Sequence, residues 1–168
     1  MVLIRPCHSA SAAVIDLVAG RMRLTLIEVE GEAVGGSMYS MDWLRERVRW
    51  HLDPACCTGQ VFLAEVAGGV IAGHTIVRVE HTEPGQRFGL FSTTYVDPVE
   101  RRRGVADALL QRGEQWFIEQ GLREACTWTS VTNTPLIELY ARHGYREAER
   151  GAHPGTGTMM VRLARAWA

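Results

Sequence analysis

Apolar residues recur along this chain with two different periods. Ala12, Ile15, Val18 and Ala19 are spaced three or four apart, which predicts a helix capped by Ser9 or Ser11 and running to about Arg23. Residues 24–40 are less regular, broken by Gly31 and Gly35-Gly36. Ser40 then caps a second predicted helix through Leu52, with Trp43, Leu44 and Val48 on its inner side and Asp53-Pro54 ending it. Strand-like runs cover Val2–Arg5, Gln60–Val66, Val70–Glu80 and Gly89–Val96. Gly68-Gly69 reads as a hairpin turn, and Pro84-Gly85 marks a second turn over Thr82–Gln86.

The second half alternates strand and helix. Asp97-Pro98 stops the Gly89 strand, because proline cannot donate to a ladder. A helical pattern follows Arg101-Arg102-Arg103-Gly104-Val105-Ala106 and runs to about Gln120, where Gly121 suits a left-handed end. Glu124–Val131 predicts a strand. Thr134 is the expected cap of a short helix, with Pro135 at its first position and Leu136, Leu139 and Tyr140 along it. That helix ends at His143-Gly144, Tyr145 opens a strand, and Thr158–Leu163 forms the last one. The order β-α-α-β-β-β-α-β-α-β, plus a final strand, implies an α/β fold with a mixed sheet and helices on both faces.

Composition narrows the class. The chain has 168 residues, 46% hydrophobic and 22% charged, as expected of one folded domain over 1–168. All 18 basic residues are arginine, yet the net charge is −1, so no nucleic-acid partner is expected on electrostatic grounds. No apolar run approaches the ~20 residues that span a bilayer, and Met1–Pro6 lacks the apolar core of a signal peptide. The expectation is a cytoplasmic protein without membrane contact. Cys7, Cys56, Cys57 and Cys126 show no metal-binding Cys-x-x-Cys spacing and read as buried or unreactive thiols.

The chemistry begins at the basic loop. The first N–H groups of a helix lack partners within it and carry partial positive charge. Gly104 admits a bulky phosphate, and Arg101, Arg102 and Arg103 add fork-shaped donors, so a pyrophosphate suits the place. Neither a P-loop nor a Gly-x-Gly-x-x-Gly fingerprint is present. The other reading is a solvated basic turn.

Here the chain resembles the GCN5-related N-acetyltransferase family. That family's loop, Arg/Gln-x-x-Gly-x-Gly/Ala, matches Arg101, Gly104 and Ala106. Its next element, Asn-x-x-Ala-x-x-Leu-Tyr followed by Gly-Phe/Tyr, matches Asn133, Leu139, Tyr140, Gly144 and Tyr145, with Leu136 in the alanine's place. The resemblance spans Gly89 to Tyr145 and is generic over the first 60 or so residues. It implies an α/β (α+β) fold with a mixed, mostly antiparallel central sheet flanked by helices. It also implies acetyl-coenzyme A, wedged between the Thr93–Val96 and Cys126–Ser130 strands.

The resemblance carries roles onto positions. Thr94, Tyr95, Val96, Arg101, Arg102, Arg103, Gly104, Val105, Ala106 and Asn133 fall in the expected cofactor site. Tyr95 is the expected N–H donor to the thioester oxygen, and Val96 the backbone partner of the pantetheine. Tyr140 is the expected general acid; its alternative is a core aromatic. Asn133 either contacts the cofactor or caps its helix. The glutamate that many members carry on the Gly89–Val96 strand is replaced by Ser92, Thr93 and Thr94, none of them basic. Glu80, acting through water, is the first substitute as base, ahead of His81, Glu83 and His74; water alone is the alternative.

The implied reaction is transfer of an acetyl group to a primary amine, foremost of a small molecule. A protein amino group, or a non-catalytic acyl-coenzyme A sensor, are the alternatives, and a homodimer is left open. Glu28, Glu30, Glu32 and Asp42 lie in or beside the segment over the acceptor mouth and would favour a polycation, if Arg45, Arg47 and Arg49 face outward.

Overall fold

The computed structural model describes residues 1–7 and 11–167, so Ser9 lies outside the described residues. The order is β1 (Leu3–Pro6), α1 (Ala12–Glu30), α2 (Glu32–Gly35), α3 (Met41–Leu52), β2 (Gly59–Val66), β3 (Val70–Glu83), β4 (Gln86–Val96), α4 (Val105–Glu119), β5 (Glu124–Ser130), α5 (Thr134–Arg142), β6 (Arg146–Ala152) and β7 (Met159–Ala166). The strands form one sheet in the order β1-β2-β3-β4-β5-β7-β6. The β4–β5 pair is parallel and the others are antiparallel.

Strand alternation sorts side chains onto two faces. Phe62, Ala64, Val77, Val79 and Phe91 face α4 and α5, packing on Leu109, Leu110, Phe117, Leu139 and Tyr140. Val61, Leu63 and Ile76 face α1 and α3, packing on Ile15, Val18, Leu44 and Val48. The α4 layer sits close because glycines meet it. A Cβ on Gly113 of α4 would lie 2.3 Å from the Phe91 ring, and one on Gly89 of β4 would lie 2.5 Å from Phe117.

Four local readings change. Ser11 caps α1, its hydroxyl accepting from the Val14 N–H at 3.3 Å, but α1 runs to Glu30 rather than Arg23. No glycine or proline interrupts residues 21–30, so propagation continues to Gly31. Trp43 is 44% exposed and stacks on Tyr39, 4.2 Å between centroids, leaving Leu44 and Val48 as the inner face of α3. Asn133, not Thr134, occupies the cap position of α5. Cys56 is exposed rather than buried; all four thiols are free.

Candidate active site

The sheet opens in its middle. β4 and β5 pair only at Gly89↔Ala125, Leu90↔Cys126 and Phe91↔Thr127. Thr127 closes that last link, its hydroxyl donating to the Phe91 carbonyl at 3.0 Å. Beyond it the strands no longer pair. At the same point β4 bulges: Phe91 opposes Val77 and Thr93 opposes Ile76, leaving Ser92 as the extra residue.

The ladder decides which backbone groups face the gap. The Asp97 N–H donates to the Ala72 carbonyl at 2.7 Å. In an antiparallel pair, hydrogen-bonded and non-bonded pairs alternate. His74 and Tyr95 therefore form a bonded pair, and Thr94 and Val96 turn their backbone groups away from β3. Tyr95 does not offer its N–H to the gap, contrary to its expected role; Thr94 and Val96 hold the free edge. The Tyr95 ring is buried beside His74, with the Arg21 guanidinium 5.5 Å and the Arg101 guanidinium 5.9 Å from its centre. Arg21 is held by Asp97 at 2.9 Å.

The basic loop leads from this edge into α4. Gly104 is left-handed, at φ 81° and ψ 6°, and no side chain caps α4. A Cβ at Gly104 would meet nothing within 4 Å, so the N-terminal turn with Val105 and Ala106 opens to a ligand. An uncapped helix end beside an open strand edge fits a pyrophosphate with a pantetheine arm. The arginines divide. Arg101 turns back onto the protein, donating to the Val96 carbonyl at 2.9 Å and to the Glu28 carboxylate at 2.7 Å, so its fork is engaged within the chain. Arg103 pairs with Glu100 at 3.6 Å. Arg102 is exposed, with a φ of 63°.

Tyr140 lies across the sheet from α1. It is 1% exposed and packs edge-on against Phe91 and Tyr145, at 5.7 and 4.8 Å between ring centres. Burial pushes its phenol well above the ordinary tyrosine range, while the hydroxyls of Thr127 and Thr94 pull the other way. Thr94 and Thr75 bring their own hydroxyls to 2.8 Å. Asn133 does not cap α5 with its side chain; its amide donates to Thr129 on β5 at 3.0 Å and ties helix to strand.

Glu80 is not brought to this place. It opposes Phe88 in the ladder, five residues along β3 from Thr75, about 17 Å. Its carboxylate accepts from Arg78. His81 and Glu83 are exposed at the end of β3. His74 is fully buried with neither ring nitrogen hydrogen-bonded among the described residues. Burial, then the Arg21 charge, lower its pKa to about 3.

The acidic residues over the mouth are partly engaged, while Glu32 stays exposed. Glu28 is bound by Arg101, Glu30 accepts from the Thr158 hydroxyl at 2.7 Å, and Asp42 pairs with Arg45 at 3.0 Å. Arg45 and Arg49 face outward as expected, but Arg47 lies over Trp50, 4.0 Å from the ring centre. Arg78 and Trp50 escaped the sequence reading, and Arg47 was expected to face outward. The alternation Val77-Arg78-Val79-Glu80 would have placed Arg78 and Glu80 together, opposite the valines.

Comparison with known proteins meets this geometry. The family model of the acetyltransferase (GNAT) family matches residues 37–145, well over half of the chain. The chain belongs to that family. GNAT acetyltransferases use acetyl-coenzyme A. An aminoglycoside N(6')-acetyltransferase type 1 of Klebsiella aerogenes is 25% identical over 127 residues, covering 64% of this chain and 84% of that one. An uncharacterized N-acetyltransferase of Methanocaldococcus jannaschii is 36% identical over 55 residues, covering 33% of this chain. The match spans about a quarter, 24%, of the archaeal protein's length. Among solved structures, the NatC complex bound to Gag peptide and CoA has a TM-score of 0.78 at 14% identity, covering 99% of both chains. That likeness concerns the fold. Among the described residues, no helix is long and apolar enough to cross a membrane.

Proposed function

We propose that this protein is an acetyl-coenzyme A-dependent N-acetyltransferase acting on the primary amine of a small molecule. The observation that carries this reading is the opening between β4 and β5, whose free edge runs from Thr94 and Val96 into the uncapped start of α4. Bound there, acetyl-coenzyme A supplies the acetyl group as an activated thioester.

The residues of the chain divide the work. The first turn of α4 at Gly104, Val105 and Ala106 holds the phosphates by backbone N–H groups, with Arg102 adding charge from outside. Val96 and Thr94 hold the pantetheine arm along the strand edge. The Thr94 N–H, rather than that of Tyr95, would be the donor to the thioester oxygen. Arg101 positions the loop through Val96 and Glu28. Tyr140 is protonated at neutral pH, as any phenol is, and its hydroxyl is the donor for the leaving thiolate; burial weakens it as an acid, and the hydroxyls of Thr127 and Thr94 work against that. Ser92, Thr93 and Thr94 line β4 with hydroxyls, so the amine proton leaves through water.

The aminoglycoside-acetylating relative supports a small-molecule acceptor. A screen of acetyl-coenzyme A with amines of different classes, read by thiol release, tests the proposal. Turnover with a free amine is expected. Coenzyme A binding with no thiol release from any amine would instead favour a sensor, and turnover with peptide N-termini alone would favour a protein acceptor.

A further inference from the structure

Beside the point where β4 leaves β5, two guanidinium groups approach one indole. The Trp50 ring has the Arg47 guanidinium 4.0 Å from its centre and the Arg78 guanidinium 5.7 Å away. Arg78 is fixed on three sides. It donates to Glu80, to the Nε2 atom of His51 at 3.0 Å, and to the Ser92 hydroxyl at 3.4 Å. His51 is itself fixed: its Nδ1–H donates to the Arg47 carbonyl at 2.8 Å. Burial, chiefly, lowers the His51 pKa to about 4, so the ring is neutral and serves as an acceptor for Arg78.

The donors left over define the place. Among the described residues, the Arg47 side chain has no hydrogen bond and no ion pair, and the second terminal nitrogen of Arg78 has no hydrogen bond. Two positive charges thus stand near each other against one carboxylate, Glu80. Neither arginine lies free in water: Arg47 is partly buried and the Arg78 side chain is 14% exposed. Bringing like charges together in a half-buried place costs free energy that a bound anion would recover. Burial and the neighbouring Arg78 both disfavour the charged form of Arg47.

Position says which molecule brings that anion. Ser92, which Arg78 touches, is the bulge residue at the mouth of the gap. Thr94 lies two residues further, about 7 Å along the strand. An anion held by Arg78 therefore stands roughly 7 Å, about five bonds, from an amine placed at Thr94. The phosphates have their own place at Gly104, at the far end of that edge.

We propose that Arg47 and Arg78 form an oxyanion-binding subsite for the acceptor, so that the preferred acceptor is an amino acid, a primary amine with a carboxylate a few bonds away, rather than a polycation. This rests on the acetyltransferase reading. Arg78, backed by His51 and Glu80, presents a fork in fixed orientation, and Arg47, over the same Trp50 ring, adds a second charge toward the carboxylate.

The test uses matched pairs that differ only in the carboxylate: γ-aminobutyrate with propylamine, 5-aminopentanoate with butylamine, leucine with isoamylamine. Calorimetry on the protein saturated with coenzyme A measures binding of their N-acetyl products, independently of turnover. The carboxylated member of at least one pair should bind tenfold or more tighter. Arg47→Gln should remove most of that advantage with coenzyme A affinity unchanged. Arg78→Lys, which keeps the charge but loses the fork, should cut it severalfold, and its circular dichroism should match that of the parent. Equal binding within every pair, an Arg47→Gln variant that keeps the advantage, or tighter binding of N-acetylspermidine overturns the subsite. Thiol release with the same amines separates the two readings. Its failure with every amine counts against the acetyltransferase, while the binding preference still decides the subsite.

Discussion

Arg101 and Glu28 join the anion loop to the first helix, Nη2 to Oε1 at 2.7 Å, across 73 residues of sequence. The same guanidinium donates through Nε to the Val96 carbonyl at 2.9 Å, at the end of the free strand edge. The loop is thus shaped by its first arginine rather than merely charged by it. Both ion-pair partners are about half exposed, so the pair itself contributes at most about 1 kcal/mol. Glu28→Gln should change coenzyme A affinity by less than about threefold. Arg101→Ala also loses the Val96 bond and should cost roughly tenfold, about 1.4 kcal/mol. Equilibrium dialysis showing equal losses in the two variants would put the loop's order in the ion pair instead.

Gly104 offers a sharper probe of the cofactor. Its surroundings are open, so a new side chain meets only what binds there. Gly104→Glu places a carboxylate against the phosphates and should weaken coenzyme A by well over tenfold. The left-handed φ makes any side chain strained by about 1–2 kcal/mol, a loss in melting temperature that a folded domain tolerates. Gly104→Ala separates the two effects, since it carries the strain without the charge. Unchanged affinity in a folded Gly104→Glu protein would remove the phosphates from this loop.

Tyr140→Phe keeps the contacts with Phe91 and Tyr145 and deletes one hydroxyl. General acid catalysis contributes ~10²–10⁴-fold, and a thiolate needs less help than most leaving groups. Turnover at saturating acceptor should fall toward ~10²-fold while acetyl-coenzyme A binding holds. Parental turnover in the variant would leave Tyr140 as a core aromatic only.

Acid should unfold this protein through two imidazoles. His51 and His74 are both about 1% exposed or less, and burial is the main cause that lowers their pKa values, to about 4 and about 3. An unfolded histidine titrates near ~6.5, so above that pH neither state is protonated and the fold loses nothing. As pH falls below it, the unfolded chain takes up protons that the fold refuses, and stability drops until about pH 4 for His51 and about pH 3 for His74. Each ring contributes up to about 1.4 kcal/mol per pH unit in its window. Urea midpoints at pH 7.5 and pH 5 should differ accordingly. His51→Gln should flatten the dependence by roughly half, and an unaltered slope would mean that His51 is not held neutral.

Local pattern alone determined much of this protein. The spacing of Leu44 and Val48, the alternation through Val77 and Val79, and the breakers at Gly68-Gly69, Pro84-Gly85 and Gly121 gave the element order except for the short α2, because each depends on residues within a few positions. Arg101, Gly104, Asn133 and Tyr140 were legible as a spaced set for the same reason. Tertiary structure decided what those residues do. Tyr95 faces β3 and Thr94 faces the gap because of a ladder phase set by Ala72 and Asp97, partners 25 residues apart. Arg101 meets Glu28, and Arg47 and Arg78 meet over Trp50, only after α1 and α3 have packed on the sheet. The opening between β4 and β5 depends on where pairing stops at Phe91 and Thr127 and on a bulge at Ser92. Strand register and side-chain meetings at long range are set by packing between distant segments, which no local period encodes.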